Sequence, residues 1–253
     1  MEGEKAVLHM NLGDGENSYA KNSTCQKIWM MKTRHVLEYS LKKSWNHYQL
    51  PKCFRMADLG CSSGPNALLS ISYAIDVIDQ ICQQYNLKMP EFQVFLNDLL
   101  SNDFNQLFKL LPHFHEKLKE EKGTDYCCFI SGVPGSYYHR LFPSNSLHFV
   151  SCINGVHWLS KVPEGLENNR GNIHLAKSSP RDVFEAYLKQ FQEDFFNFLR
   201  FRGQEIKPGG VMILAYLGRS TPNPFIKDAI EILAMLAEIL LQMATEVSKS
   251  SNS

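Results

Sequence analysis

The sequence predicts an α/β fold, a doubly wound parallel sheet with helices on both faces. Three observations predict it. Short apolar runs alternate with longer segments of helical periodicity along most of the chain. Several of these runs are continuous rather than alternating, as expected for strands buried on both faces of a sheet. A glycine-rich turn directly follows the first run, which is where such sheets place their ligands.

The apolar runs predict five strands. They cover 54–59, 92–96, 126–130, 147–152 and 211–217. A Pro-Gly-Gly sequence at 208–210 predicts a tight turn that leads into the fifth strand.

The segments between the strands predict the helices. The first, 67–85, carries apolar residues at helical spacing, and the second, 103–122, is broken near Pro112. The third, 180–202, has one apolar stripe, formed by Val183, Tyr187, Phe191, Phe195 and Leu199. After the fifth strand, a loop at 218–224 precedes a Leu/Ala-rich helix that runs into a serine-rich tail.

Composition narrows the class of function. The chain has 253 residues, with 26 basic and 26 acidic side chains, so its formal charge is zero. Without a basic surplus, we expect neither a nucleic-acid nor a membrane partner. The N-terminus lacks an apolar signal region, and the seven cysteines form no CxxC pair, which favours reduced thiols in the cytoplasm.

Two features at predicted strand ends indicate a cofactor site. After the first strand, Asp58 precedes a turn that contains Gly60 and Gly64, and small residues there let a ligand approach the backbone closely. After the second strand, Asp98 is placed to accept hydrogen bonds from both ribose hydroxyls of an adenosine ligand. Either carboxylate could instead cap a loop. The glycine spacing differs from GxGxxG, which counts against an NAD-dependent oxidoreductase.

Many ordered motifs resemble one family, the plant SABATH methyltransferases, which methylate salicylate, benzoate, jasmonate and caffeine precursors. The strongest matches are Ala57-Asp58-Leu59-Gly60-Cys61-Ser62-Ser63-Gly64-Pro65-Asn66, Phe95-Leu96-Asn97-Asp98-Leu99 and Gly132-Val133-Pro134-Gly135-Ser136-Tyr137-Tyr138. The resemblance runs from near the N-terminus to about Gly218, and we expect it to end in the final helix. It implies a Rossmann-like class I methyltransferase sheet with a partial helical cap.

The resemblance also implies S-adenosylmethionine (SAM) as cofactor and assigns residues to it. Together with the motif residues discussed above, the predicted cofactor site comprises Tyr19, Asp58, Gly60, Cys61, Asn66, Asp98, Leu99, Ser136 and Tyr137. No residue is predicted to act as a catalytic acid or base, because a carboxylate acceptor is already ionised at neutral pH.

The acceptor is the less determined part of the resemblance. Gln26 and Trp158 match the pair that holds the substrate carboxylate in carboxyl-methylating members, whereas His157 is shared with members that methylate xanthines. Asn154 matches a further pocket position, where many members have a larger tyrosine. We predict methyl ester formation on a small aromatic or lipid-derived acid, with N-methylation of a xanthine as the alternative.

The resemblance implies three further expectations. Asn169 matches one ligand of a peripheral magnesium ion, and family members form homodimers. Members are also longer, so we expect this chain to lack part of the cap, which leaves an inactive cofactor-binding protein as a second hypothesis. We predict one methyltransferase domain over 1–253, with a cap segment at 1–50, a cofactor-binding core at 51–218 and a divergent, truncated cap helix and tail at 219–253.

Overall fold

A computed structural model describes residues 10–13, 15–45, 50–123, 126–176, 178–218 and 231–250. The chain divides into two compact units. The larger comprises 1–160 with 194–216, and the smaller comprises 161–193 with 217–253. This division differs from the predicted segments 1–50, 51–218 and 219–253, which remain a prediction.

The larger unit contains a five-stranded parallel sheet, as the sequence predicts. Its strands are β1 (Cys53–Leu59), β2 (Glu91–Asp98), β3 (Cys128–Pro134), β4 (Leu147–Ile153) and β5 (Ile206–Ala215). Their order across the sheet is β3-β2-β1-β4-β5, so the direction of the connections reverses at β1, between β2 and β4. Ligands of open α/β sheets bind beyond the carboxyl ends of the strands at such a point.

Both faces of the sheet are packed, which explains why the predicted strands are continuous apolar runs. In β1, Phe54 and Met56 belong to one core cluster, and Ala57 and Leu59 belong to the other. Alternate residues of a strand point to opposite faces, so neither face of β1 is left to solvent.

Helices precede the sheet and connect its first three strands. Before β1 come α1 (Tyr19–Asn22) and α2 (Thr24–Ser44). Between β1 and β2, a 3₁₀ turn (Pro65–Leu68) leads into α3 (Leu69–Tyr85). The predicted break in the next segment is confirmed, because it separates α4 (Phe104–Phe108) from α5 (Leu111–Lys122), and Pro112 lies in the first turn of α5.

The helix before β5, α6 (Arg181–Glu205), is confirmed, but its predicted stripe is wrong in part. Val183 is buried as expected, whereas Leu199 is 41% exposed. The buried positions of the second half are Asp194, Phe198, Arg202 and Glu205. Three of these are charged, and a charged side chain is buried only when partners satisfy it.

The predicted turn at 208–210 lies inside β5 rather than before it. Leu147 pairs with Ile206, and two residues later Phe149 pairs with Val211, so Pro208, Gly209 and Gly210 form an irregularity within the ladder. Sequence gives no access to this register, because pairing with β4 fixes it.

The remaining helix, α7 (Glu231–Ser250), confirms the predicted Leu/Ala-rich helix and belongs to the smaller unit. Apart from Gly218, the predicted loop at 218–224 lies outside the described residues, and so does the tail beyond residue 250. In the described part of the chain, no helix is both long and apolar enough to cross a membrane.

Candidate active site

The turn after β1 (the β1 turn, 60–64) is held against the end of β2. The amides of Gly60 and Cys61 both donate to the carbonyl of Asn97, at 2.9 and 3.0 Å. Gly60 has φ of +75°, and a side chain there would lie 3.3 Å from the Tyr137 ring. Glycine at this position therefore provides both the left-handed backbone and the close approach of an aromatic ring.

Asp98 connects the two features that the sequence singled out. Its carboxylate accepts from the backbone amide of Ser62 at 2.6 Å and from that of Leu99 at 2.8 Å. Burial raises its pKa above the usual value, and the two amides partly oppose this. A carboxylate has about four acceptor sites, so two remain for ligand hydroxyls.

Asp58 lies deeper, beneath the β1 turn. It is buried, and its Oδ1 accepts from Ser70 at 3.0 Å and from Ser151 at 2.5 Å. Burial raises its pKa to about 7, while the two serine hydroxyls act in the opposite direction. These contacts join β1, α3 and β4, so Asp58 supports the site from below, and its predicted contact with the cofactor remains a prediction.

The N-terminal helices reach the same turn. The Tyr19 side chain lies close to Asn66, and Asn66 Nδ2 donates to the carbonyl and hydroxyl oxygens of Ser23 at 2.9 and 3.0 Å. A side chain at Gly64 would lie 3.1 Å from the Ala20 backbone, so glycine lets α1 contact the turn directly. The structure thus brings Tyr19 and Asn66 to the same turn, and their contact with the cofactor stays a prediction.

The segment after β3 (the β3 segment, 135–142) carries Ser136 and Tyr137 to the same edge. Asn97 Nδ2 donates to the carbonyls of Val133 and Gly135, both at 2.8 Å. The Tyr137 hydroxyl donates to the carbonyl of Gly155 at 2.8 Å.

A buried ion pair that sequence reasoning missed holds the β3 segment from behind. Arg202 donates to the carbonyls of Tyr137 and His139, both at 2.9 Å. Glu205 accepts from the amides of Leu141 and Phe142 at 2.6 and 3.0 Å, and it pairs with Arg202 Nε at 2.8 Å. Both charged side chains are fully buried. The sequence signal for this pair is its spacing, because Arg202 and Glu205 follow the buried Phe198 by four and seven residues and so lie on the same face of α6.

The segment after β4 (the β4 segment, 154–160) carries three of the four predicted acceptor residues. Asn154 has φ of +61°, and its backbone amide donates to the carbonyl of Ala215 in β5 at 2.7 Å. The rings of His157 and Trp158 lie 6.2 Å apart, and Trp158 is 39% exposed. Burial lowers the pKa of His157, so its imidazole is neutral at neutral pH.

The fourth predicted acceptor residue, Gln26, lies on α2, and its Oε1 is buried without a hydrogen-bond partner. In the β4 segment, Asn154 Nδ2 and His157 Nδ1 are in the same condition. These three atoms therefore have free hydrogen-bonding capacity, Asn154 Nδ2 as a donor and Gln26 Oε1 as an acceptor. The pairing of Gln26 with Trp158 around one acceptor remains a prediction.

The cofactor side shows the same sign. The hydroxyls of Ser18, Ser62 and Ser63 are buried without partners. Together with the spare acceptor capacity of Asp98 and the glycines of the β1 turn, they fit a polar ligand such as an adenosine cofactor.

The described residues do not fit a magnesium site at Asn169, in the smaller unit. Its Oδ1 already accepts from Ser179 at 2.7 Å and from Asn172 at 3.2 Å. No group of three His, Cys, Asp or Glu side chains in the described residues could hold a metal ion. The reaction proposed below therefore includes no magnesium ion.

Comparison with known proteins identifies the family. Residues 5–251 match the sequence model described as SAM dependent carboxyl methyltransferase. The chain belongs to this family. The match continues through residue 251, past the end of α7, so the expectation that the resemblance ends in the final helix is wrong.

Relatives within the carboxyl methyltransferase family are 43–47% identical to the chain. A probable jasmonic acid carboxyl methyltransferase 2 of Theobroma cacao is 46% identical over 248 residues, which are 95% of this chain and 66% of that protein. Salicylate carboxymethyltransferase of Clarkia breweri is 44% identical, over 96% of this chain and 66% of that protein. The chain thus spans slightly less than two thirds of the length of these relatives.

A solved structure supports the fold assignment. Loganic acid methyltransferase with SAH matches with a TM-score of 0.81 at 34% identity, over 94% of this chain and 67% of that one. The predicted Rossmann-like methyltransferase sheet is confirmed.

Proposed function

We propose that this protein transfers a methyl group from SAM to the carboxylate of a small aromatic or lipid-derived acid and releases a methyl ester. The observation that carries the proposal is the bond from the Ser62 amide to Asp98, which joins the two predicted cofactor elements at the carboxyl edge of the sheet. Family membership supplies the reaction class.

Several residues would hold the cofactor at this edge. Asp98 offers acceptors for the ribose hydroxyls, with Leu99 beside it, and Tyr19 and Tyr137 offer aromatic faces to the sulfonium. When bound, SAM supplies an electrophilic methyl group. Cys61, whose pKa burial raises, is a neutral thiol in the wall of the site.

The protein would contribute positioning rather than proton transfer. An acid with a pKa of about 4 is ionised at neutral pH, so its oxygen needs no general base. Gln26 and Trp158 can each donate an N–H to the carboxylate and remain neutral. Correct alignment of nucleophile and methyl group alone supplies a large share of such a rate.

The carboxylate is favoured over a xanthine by the relatives, whose names specify jasmonic acid, salicylate and benzoic acid. The neutral His157 and the unpaired Asn154 would line the pocket around the acceptor ring or chain. We propose no second function.

The test is a panel of acceptors with methyl-labelled SAM, comprising salicylate, benzoate, jasmonate, loganate and xanthines. We expect label in methyl esters of one or two acids, and none in xanthines. Isothermal titration with S-adenosylhomocysteine (SAH) runs beside it. Exclusive labelling of xanthines would overturn the choice of acceptor, and SAH binding without any turnover would favour a cofactor-binding protein.

We also propose a cytoplasmic location and a homodimer. All seven cysteines are free thiols, which suits a reducing compartment. Light scattering of the purified chain measures its molar mass, and the mass of a monomer would contradict the proposed homodimer.

A further inference from the structure

The β4 segment is held by three side chains from other parts of the larger unit. Tyr137 donates to the Gly155 carbonyl at 2.8 Å, and Tyr138 donates to the Trp158 carbonyl at 2.6 Å. At the end of the segment, the Ser160 amide and hydroxyl donate to the two carboxylate oxygens of Asp194, at 2.8 and 2.6 Å. Each of these bonds is to the backbone or to a short side chain, so together they fix the path of the segment.

Tyr138 is suited to a fixed structural bond. Its side chain is 5% exposed, and burial raises the pKa of its hydroxyl, so it remains a neutral donor across the physiological range. The same hydroxyl lies 3.4 Å from the carbonyl of Val156. One buried hydroxyl thus contacts two carbonyls on either side of His157.

The tyrosines are in turn fixed by the buried ion pair. Arg202 binds the carbonyls of Tyr137 and His139, which flank Tyr138. Glu205 accepts from the amides of Leu141 and Phe142. A continuous set of hydrogen bonds therefore runs from the ion pair to the β3 segment and on to the β4 segment.

We propose that Tyr138 is a positioning residue that sets the place of Trp158, and with it the acceptor, relative to the cofactor residues of the β3 segment. This inference rests on the proposed function. Because in-line transfer is sensitive to misplacement of about 1 Å, a hydroxyl that fixes Trp158 affects the acceptor more than the cofactor.

The test uses Tyr138→Phe, which removes one oxygen atom and keeps the ring. Tyr126→Phe is the matched control, because the Tyr126 hydroxyl is buried without a partner in the described structure and its ring stacks on Phe92.

The first readout needs no turnover. Substitution of Trp29 and Trp45 by phenylalanine leaves Trp158 as the sole tryptophan. In that background we expect Tyr138→Phe to raise the acrylamide quenching constant of Trp158, because a segment that loses a buried hydrogen bond opens to solvent more often. Tyr126→Phe should leave it unchanged. Equal quenching in the parent protein, Tyr138→Phe and Tyr126→Phe would overturn the proposal, even if the protein proves inactive.

The second readout separates acceptor from cofactor. With the acid that gives turnover, Tyr138→Phe should raise the acceptor KM by about two- to tenfold and change the Kd for SAH by less than about twofold. Equal losses in both constants would overturn a positioning role, because they would indicate general loosening of the fold. Absence of turnover in the parent protein, with SAH bound and quenching altered by Tyr138→Phe, would reject the proposed function and keep the positioning of Trp158.

Discussion

The β1 turn and the β4 segment are the same kind of structure held in different ways. Each follows a buried strand and contains a glycine. Each also contains one non-glycine residue with positive φ, which is Ser62 at +56° in the β1 turn and Asn154 at +61° in the β4 segment. The β1 turn is bonded mainly by its own amides to the neighbouring strand end, at Asn97 and Asp98. The β4 segment depends on side chains that are distant in sequence, at Tyr137, Tyr138 and Asp194.

This difference explains why the sequence predicts the cofactor side of the proposed site better than the acceptor side. The β1 turn is specified by a contiguous motif and its neighbour, so it is fixed wherever the sheet forms. The position of the β4 segment depends on residues up to 34 positions away, and only one of them, Tyr137, also belongs to the predicted cofactor site.

The largest expected effect breaks the support of the β3 segment, whose Tyr137 and Tyr138 hold the β4 segment. Arg202→Met leaves the buried Glu205 without its ion partner, and we expect a loss of about 3–5 kcal/mol in the free energy of unfolding, measured with urea. Arg34→Met is the control. Its pair with Glu38 leaves the arginine 43% exposed, so its loss should cost about 1 kcal/mol or less. Similar costs for the two variants would contradict this account.

The next effect tests the β1 turn alone. Asp98→Ala removes the acceptor of the Ser62 and Leu99 amides and the proposed ribose contact. Loss of charge-assisted bonds predicts SAH binding weaker by about 100-fold in isothermal titration. Asp103→Ala, which removes a cap of the Gln106 amide on α4, should lower stability by about 1 kcal/mol and leave SAH affinity unchanged.

A third substitution tests the β4 segment alone. A side chain at Gly155 would lie 2.6 Å from Cys152 Sγ, so Gly155→Ala should cost about 1–3 kcal/mol of stability and weaken acceptor binding. Adding Cys152→Ala makes room and should recover part of the loss. If the two substitutions are simply additive in urea unfolding, the clash is not the cause.

A further effect, which depends on pH, concerns the strand ends beneath both regions, which Asp58 joins through Ser151. Its pKa of about 7 exceeds the unfolded value near 4, so the folded state binds more protons between these pH values, and stability falls as pH rises through them. Asp58→Asn should therefore gain stability relative to the parent at pH 8 and not at pH 4.

The control for this comparison is His148. Burial lowers its pKa to about 4, so its contribution is complete above pH 6.5 and is lost as pH falls toward 4, the opposite direction. Because His148 is present in both proteins, the difference between parent and variant isolates Asp58. A difference that is independent of pH would show that Asp58 titrates normally.

Sequence patterns predicted the sheet well, because buried parallel strands are continuous apolar runs and the motif after β1 is local. They did not predict the irregularity at Gly209, which follows from pairing with β4. They also did not predict the buried Arg202 and Glu205, because charge at a helix end normally indicates solvent. Among the site residues, contacts bring Tyr19 to Asn66 and Asp98 to the β1 turn, whereas the pairing of Gln26 with Trp158 around an acceptor stays a prediction.

The unpaired groups of the β4 segment have a consequence for changing acceptor range by design. Replacement of His157 forfeits no hydrogen bond at Nδ1, so a saturation library there can reshape the proposed acceptor pocket without leaving a partner of that atom unpaired. Asn154 offers less freedom, since its φ of +61° restricts well-tolerated replacements to residues such as glycine and aspartate. A search for new esters is therefore best directed at position 157 first.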